Sequence, residues 1–402
     1  MRDYLSDRVV IGLAIASAIV TANAYYIHPI IAPVAAEFEV SAAQVGAVPA
    51  LNQFALALGI LLLLPLGDRF SNRRLVPLFL AAQVGALALM TVAQSFWLFV
   101  TGSALLGFFT VAPYLLPAFV SKRVPAERLG HVTAILTTGV IAGVLLSRTG
   151  SGVIAEYLGW RTVYGMATAL MLTSVVILPI LMREDSPPPG DSEALPYGQL
   201  LSSLFGMLRA NPQVMISGII QGLSFAIFLV LWLGLGLHLT SPEMGYGTDI
   251  VGYLAAIAVI NLLTTTRFGR LADRLGAHRA RLLMVLIQLA GVLLLFPAGY
   301  NIWLLLIPLT LMNISGPVID ISGRMTVLDQ PPHIRTRLMT LYIVFMFIGG
   351  GLGSWTGTIA YDLFGWPGTT GLAAILSVLV VCLAFFALRR AAKTASTNAQ
   401  GE

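Results

Sequence analysis

An arginine inside an apolar run is the residue of this chain with the most chemistry to offer. Residues 139–160 read GVIAGVLLSRTGSGVIAEYLGW, apolar enough to cross a bilayer, with Arg148 near the middle. At the centre of a spanning helix an arginine costs about 2.5–3.5 kcal/mol on insertion scales, so it persists only facing protein or water, with a partner. Asp320, a bound substrate and helix carbonyls are the candidate partners. Such a guanidinium could attract an anionic or strongly hydrogen-bonding group, keep an acid ionised, or serve as a structural charge.

The other candidates are gentler. Asp320 and Arg324 lie four apart, on one helical face. They form an i,i+4 ion pair, or Asp320 is a protonatable group reaching a cavity. His28 follows Asn23, Tyr25 and Tyr26 in the first apolar run. It is a packing residue held by hydrogen bonds, or a proton relay, since its unperturbed pKa is about 6.5. Gln221, Phe225, Phe228 and Trp232 make one helical stripe, which reads as helix packing or as an aromatic cavity wall. Asn52, Gln53, Asn261 and Asn313 are polar groups expected to face inward rather than lipid. The five histidines fall in five regions without metal-ligand spacing, and no Gly-Lys-Ser/Thr sequence is present to cradle phosphates. No metal, cofactor or ATP drive is therefore expected. Transport would run down a gradient or couple to an ion.

The elements that must position these residues are membrane spans. Of 402 residues 57% are hydrophobic and only 10% charged, with mean hydropathy +0.87. Soluble domains carry roughly 25% charged residues. A lone cysteine, Cys382, excludes an intrachain disulfide. Taking about 20 apolar residues per span, twelve segments qualify: 9–33, 44–66, 75–93, 96–120, 131–156, 161–182, 213–238, 249–266, 282–299, 302–325, 338–362 and 367–388. Residues 183–212 form a polar, proline-rich linker that ends in a short amphipathic helix. The N-terminus imitates a secretory signal, with Ala22-Asn23-Ala24 as a cleavage-like site. Its removal would leave eleven spans, so it is read as a span.

With twelve spans, 21 of the 23 basic residues fall on one side. That side is cytoplasmic and carries both termini. The net charge of +5 then reflects topology, and nucleic-acid binding is discounted. The chain also repeats itself. GDRFSNRR (67–74) matches ADRLGAHR (272–279), and IAEYLGW (154–160) matches IAYDLFGW (359–366). The offsets are 205 for Asp68 and Asp273, 206 for Trp160 and Trp366, and 207 for Pro125 and Pro332. Two six-span halves, 1–182 and 213–402, are thus expected, related by a pseudo-twofold axis along the membrane normal with a site between them at mid-depth. Gly139, Gly143 and Ser147, with Gly349, Gly353 and Gly357, are four-residue small stripes in equivalent spans. They read as close-packing seams along which the halves rock.

This plan resembles the major facilitator superfamily over essentially the whole chain. Its loop motif G-x-x-x-D-R-x-G-x-R-R is nearly complete at Gly269, Asp273, Arg274, Gly276 and Arg279. The first half keeps Asp68, Arg69, Arg73 and Arg74, with Leu64 and Ser71 in place of the glycines. The resemblance implies that these residues form cytoplasmic latches holding the outward-open state. The stretch around Arg148 resembles the antiporters' fifth-helix motif G-x-x-x-G-P-x-x-G-G, with Val144 for the proline and Ser147 and Arg148 for the last glycines. ANAYYIHPIIAPVA (22–35) and RTRLMTLYIVFMFIGGGLGS (335–354) look like those of bacterial drug:proton antiporters. In the fourth span Gly107 is present, but Ser103 replaces those proteins' arginine.

The expectation is an all-α membrane protein and no enzyme. It is a monomeric secondary transporter of the bacterial inner membrane, exporting a small organic molecule against protons by alternating access. A uniporter or importer, and a non-transporting receptor or scaffold, are the rival readings.

Overall fold

Lipid offers no hydrogen bonds to a backbone, so a chain this apolar must satisfy its peptide groups within helices or a closed barrel. The computed structural model takes the first course. It describes residues 5–68, 70–121, 123–182, 197–260 and 274–399, and contains no strand among them. Arg69, Asn261, Gly269, Asp273 and the linker 183–196 lie outside the described residues, as do the side chains of Asp68 and His333.

The helices are α1 (Asp7–Ala22), α2 (Ile27–Glu37), α3 (Ala42–Val45), α4 (Ala47–Leu63), α5 (Asn72–Val92), α6 (Phe96–Phe109), α7 (Ala112–Ser121), α8 (Ala126–Leu158), α9 (Trp160–Leu181), α10 (Tyr197–Ala210), α11 (Pro212–Leu239), α12 (Thr248–Ala255), α13 (Ala277–Ala298) and α14 (Ile302–Leu328). The last stretch, Pro332–Ala399, is two helices meeting at Gly365, whose φ of 60° and ψ of −148° are non-helical. We call them α15 (332–364) and α16 (366–399). Among the described residues, ten helical stretches are long and apolar enough to cross a membrane, and this last one is counted once among them. The predicted eighth span appears as the shorter Thr248–Ala258, because residues 261–273 lie outside the described set.

Two predicted spans are interrupted. The run 9–33 breaks at residues 23–26, where Ala24 and Tyr25 bond three residues back, to Thr21 and Ala22. Pro29 explains the break: it has no N–H to give the Tyr25 carbonyl, and its ring clashes with that group. The run 96–120 breaks at Thr110 and Val111, three and two residues before Pro113. The Thr110 N–H donates to the Gly107 carbonyl, three residues back, and its ψ is 47°.

The chain forms two compact units. One comprises Met1–Val40, Ala47–Leu201 and Tyr246–Ala256; the other comprises Ser41–Gly46, Ser202–Gly245 and Ile257–Glu402. Each unit thus holds a short segment from the opposite half of the sequence.

The small stripes are seams inside units. A Cβ on Gly139 or Gly143 would fall on the backbone of Ala14 or Ala18 of α1. On Gly349 and Gly353 it would fall on Gly222 and Ala226 of α11, and on Gly357 it would meet Val230.

Arg161 holds the opposite end of the first unit. Its Nε donates to Glu37 Oε1 (2.9 Å), while Nη1 and Nη2 donate to the carbonyls of Thr91 (2.9 Å) and Ala93 (2.7 Å). It thereby caps α5, where a cation suits the helix dipole. In the second unit His238 stacks on Trp366, ring centroids 4.8 Å apart.

Candidate functional site

The two breaks in the first unit meet at one side chain. Asn23 Nδ2 donates to Gln83 Oε1 at 3.3 Å, and Gln83 Nε2 donates to the Phe109 carbonyl at 2.9 Å. Thr110 Oγ1 lies 3.3 Å from Gln83 Oε1 and 2.6 Å from the Leu106 carbonyl. Irregular backbone at membrane depth is tolerated only where protein or a cavity supplies its lost bonds. Gln83 supplies one at the second break, to the Phe109 carbonyl, and meets the Asn23 side chain at the first. Sequence reading missed it, although Pro29 and Pro113 signal the breaks it serves.

Arg148 belongs to the same unit and is 2% exposed. Its Nε donates to the Val144 carbonyl of its own helix at 3.3 Å. Tyr25 and His28, at the break in the first span, lie within electrostatic range of the guanidinium. They pack edge-on, 5.3 Å between centroids, and His28 is fully buried. Tyr26 turns instead towards Tyr164 (6.4 Å) and lines a mostly apolar cavity of about 200 Å³ with Ala22, Gly143, Ser147, Met166 and Leu170. Asn52 is drawn elsewhere: its Nδ2 donates to the Ser103 carbonyl (2.8 Å), and Ser103 Oγ donates to the Val48 carbonyl (3.0 Å). Gln53 is buried, and its Oε1 has no partner among the described residues.

In the second unit the α11 stripe is an aromatic ladder. Phe225 and Phe228 stack 5.8 Å apart, Phe228 lies 6.3 Å from Trp232, and Phe347 meets Phe225 edge-on. Phe228, Trp232, Met312 and Asn313 line a small recess. Asn313 donates to the Leu309 carbonyl of its own helix (2.8 Å). Gln221 is buried with its Oε1 unpartnered among the described residues, while Ser224 donates to Gln288 at 3.4 Å. Gln288 is the repeat equivalent of Gln83, 205 residues on.

Asp320 accepts from Arg324 Nε at 2.9 Å and from the Tyr342 hydroxyl at 3.1 Å. The i,i+4 ion pair is thus present, with a phenol added. Beside it lies a cation that charge counting assigned to a loop. Arg281 is 1% exposed within α13, and donates to Ser217 Oγ (2.9 Å) and the Ser322 carbonyl (2.8 Å). Helix α13 starts at Ala277, so Arg281 stands one turn inside it and turns into the bundle.

Of the loop-motif residues, Arg73, Arg74, Arg274 and Arg279 are exposed. Gly276 takes φ 80°, a conformation that favours glycine. Ser71, at the equivalent place, takes φ −59° and ψ 122°, which any residue adopts. The departure from the motif in the first half therefore carries no strain.

Two helical units with equivalent buried glutamines and equivalent glycine seams make a specific pattern. The sequence profile of the Major Facilitator Superfamily matches residues 13–330 and 268–402. The chain belongs to the major facilitator superfamily. It is 27% identical to a transporter, YgaY, of Escherichia coli O157:H7 over 93% of this chain and 94% of that one. It is 26% identical to the multidrug resistance protein MdtG of Klebsiella pneumoniae, covering 77% and 74%. Among solved structures it is similar to a bacterial homologue of the human lysosomal transporter Spinster, inward-facing and unoccupied (TM-score 0.78, 14% identity, 97% and 98% covered). It is also similar to the nucleoside transporter NupG (TM-score 0.74, 14% identity, 95% and 99% covered).

This facilitator is accordingly a multi-pass membrane transporter and no enzyme. Its substrate is a small molecule, and lipid surrounds it. The fourth span departs from the drug antiporters in a physically intelligible way. Ser103 ties α6 to α4 by a hydroxyl that carries no charge, and Gly107 lets the Asn52 backbone approach it.

Proposed function

We propose that this facilitator is a proton-coupled exporter of small organic molecules, working by alternating access. The observation that carries the reading is Arg148, fully buried beside the broken first span with Tyr25 and His28 around it. A guanidinium there supplies an anchor for an acidic or strongly hydrogen-bonding solute, and His28 supplies a group able to exchange protons. Within the first unit Gln53 adds a buried acceptor, and within the second Gln221 and the Phe225–Phe228–Trp232 ladder set an acceptor beside apolar faces. The likeness to multidrug resistance proteins supports export.

The reading extends to twelve spans in two six-helix halves, 1–182 and 213–402, joined by a linker at 183–212. The protein would be a monomer in the inner membrane with its loop arginines serving as cytoplasmic latches. In proteoliposomes screened with anionic and cationic dyes, an imposed pH gradient should drive uphill movement of at least one anionic dye, and collapsing the gradient should stop it. Flux that equilibrates regardless of the gradient would instead identify a uniporter.

The basic-residue count supports a cytoplasmic position for both termini. A cysteine at Glu243, an exposed position before α12, should react in intact cells with a membrane-impermeant maleimide, in a Cys382→Ser background. One introduced within 186–192 should react only after lysis. The reverse pattern overturns the orientation.

A further inference from the structure

Two contacts at the chain's second helical starts repeat each other. Glu156, near the end of α8, accepts from the backbone N–H of Thr248 (2.8 Å) and from its hydroxyl (3.1 Å). Thr248 opens α12, whose N-cap Gly247 has no side chain to offer. Asp362, near the end of α15, accepts from the backbone N–H of Ala42 at 3.1 Å. Ala42 opens α3, where Ser41 and Gln44 already cap each other's N–H groups and leave that of Ala42 over. Glu156 and Asp362 are 206 residues apart, and so are Ala42 and Thr248. The close approaches beside them repeat too. A Cβ on Gly252 would crowd the Thr149 carbonyl and Gly152, and one on Gly46 would strike the Thr358 side chain. Gly46 with Gly252, and Gly152 with Thr358, again stand 206 apart.

Each contact therefore sits in one compact unit yet joins the two halves of the sequence. Residues 246–256 belong with the first unit and residues 41–46 with the second. Carboxylates suit these places, because the first N–H groups of a helix lack partners and its dipole favours negative charge. In the proposed twelve-span orientation all four segments fall at or in connections after odd-numbered spans, on the outer side.

We propose that Glu156 and Asp362 are paired positioning residues of the transport cycle. Each clasps the first turn of a helix from the other half, and both clasps must open before the halves part on the outer face. The inference rests on the alternating-access reading. It differs from the loop-motif latches, which the proposed orientation puts on the cytoplasmic side and which involve other residues.

The test uses the full chain in lipid nanodiscs, Cys382→Ser, with spin labels at Gln94 and Tyr300, both exposed and both on the outer side in the proposed orientation. Glu156→Ala and Asp362→Ala should each raise the ratio of long to short label distances about fivefold, in line with the loss of a helix cap. The two sites share no partner, so the double variant should approach the product of the two effects. Glu156→Gln and Asp362→Asn keep an acceptor without the charge and should fall between. Unchanged distances in a double variant that still melts cooperatively overturn the proposal, and so does a lowered melting midpoint with unchanged distances. A double variant no further open than either single variant overturns the pairing. The distances need no substrate. A protein that moves no dye yet shifts its distances loses the exporter reading and keeps the clasps.

Discussion

Arg148→Ala should reduce gradient-driven transport about a hundredfold while the protein still inserts and purifies as a folded species. A hydrogen bond to a charged group is worth about 1.5–3 kcal/mol, and a buried group left without its partner costs more. An interaction of that size, made with the solute, corresponds to roughly ten- to more than a hundredfold in rate or affinity. Insertion should not suffer, because deleting a charge from membrane depth removes a cost. Arg148→Met, which restores volume without charge, controls for the cavity that alanine leaves. Lysine then separates two roles. If Arg148 grips a carboxylate through two parallel N–H groups, Arg148→Lys should fail nearly as badly as alanine, since an ammonium lacks the planar fork. If it only sets the potential felt by His28 and Tyr25, lysine should keep much of the activity and move its pH optimum. Parental transport by the alanine variant would leave Arg148 as a structural charge bonded to Val144.

Arg148 was legible because charge in an apolar run is conspicuous, and its candidate partners included helix carbonyls, one of which it uses. Gln83 was not legible. A neutral amide in an apolar helix raises no alarm by composition, and its importance comes from where two interrupted spans bring Asn23 and Phe109. The prolines that cause the interruptions were visible, yet a count of apolar residues runs straight through them. Arg281 was misjudged for a different reason. It lies seven residues beyond Arg274, so it counts as loop charge until the start of α13 is fixed at Ala277. Asp320 and Arg324 paired as their spacing predicts, and only the Tyr342 hydroxyl, 22 residues away in sequence, was hidden. Glu156 and Asp362 fell into repeats already recognised by their tryptophans. Their partners, Thr248 and Ala42, come from the other half of the chain, where no local pattern points.

The glycine stripes were read from four-residue spacing alone, and they set up a sharp contrast. Gly349 of α15 faces the backbone of Gly222 of α11, and Gly143 of α8 faces that of Ala18 of α1. The two glycines are 206 residues apart, so one packing solution is used twice. Gly371 of α16 has nothing within 4 Å of where its Cβ would be. Replacing a glycine inside a helix by alanine favours the helix by about 1 kcal/mol wherever the methyl fits. At Gly371 that term stands alone, so Gly371→Ala should leave the melting midpoint in detergent unchanged or slightly higher. At Gly349 and Gly143 the methyl meets backbone, which cannot rotate away as a side chain can. The helices must separate along the seam, and overpacking of this kind costs about 1–3 kcal/mol or more. Without a hydrophobic force between helices in lipid, lost van der Waals contact is not recovered elsewhere. The clash should therefore outweigh the propensity gain. Gly349→Ala and Gly143→Ala should each lower the midpoint by several degrees, and Gly349→Leu should yield little folded protein. Equal midpoints for Gly349→Ala and Gly371→Ala would mean that α15 and α11 are not held at backbone contact in the membrane.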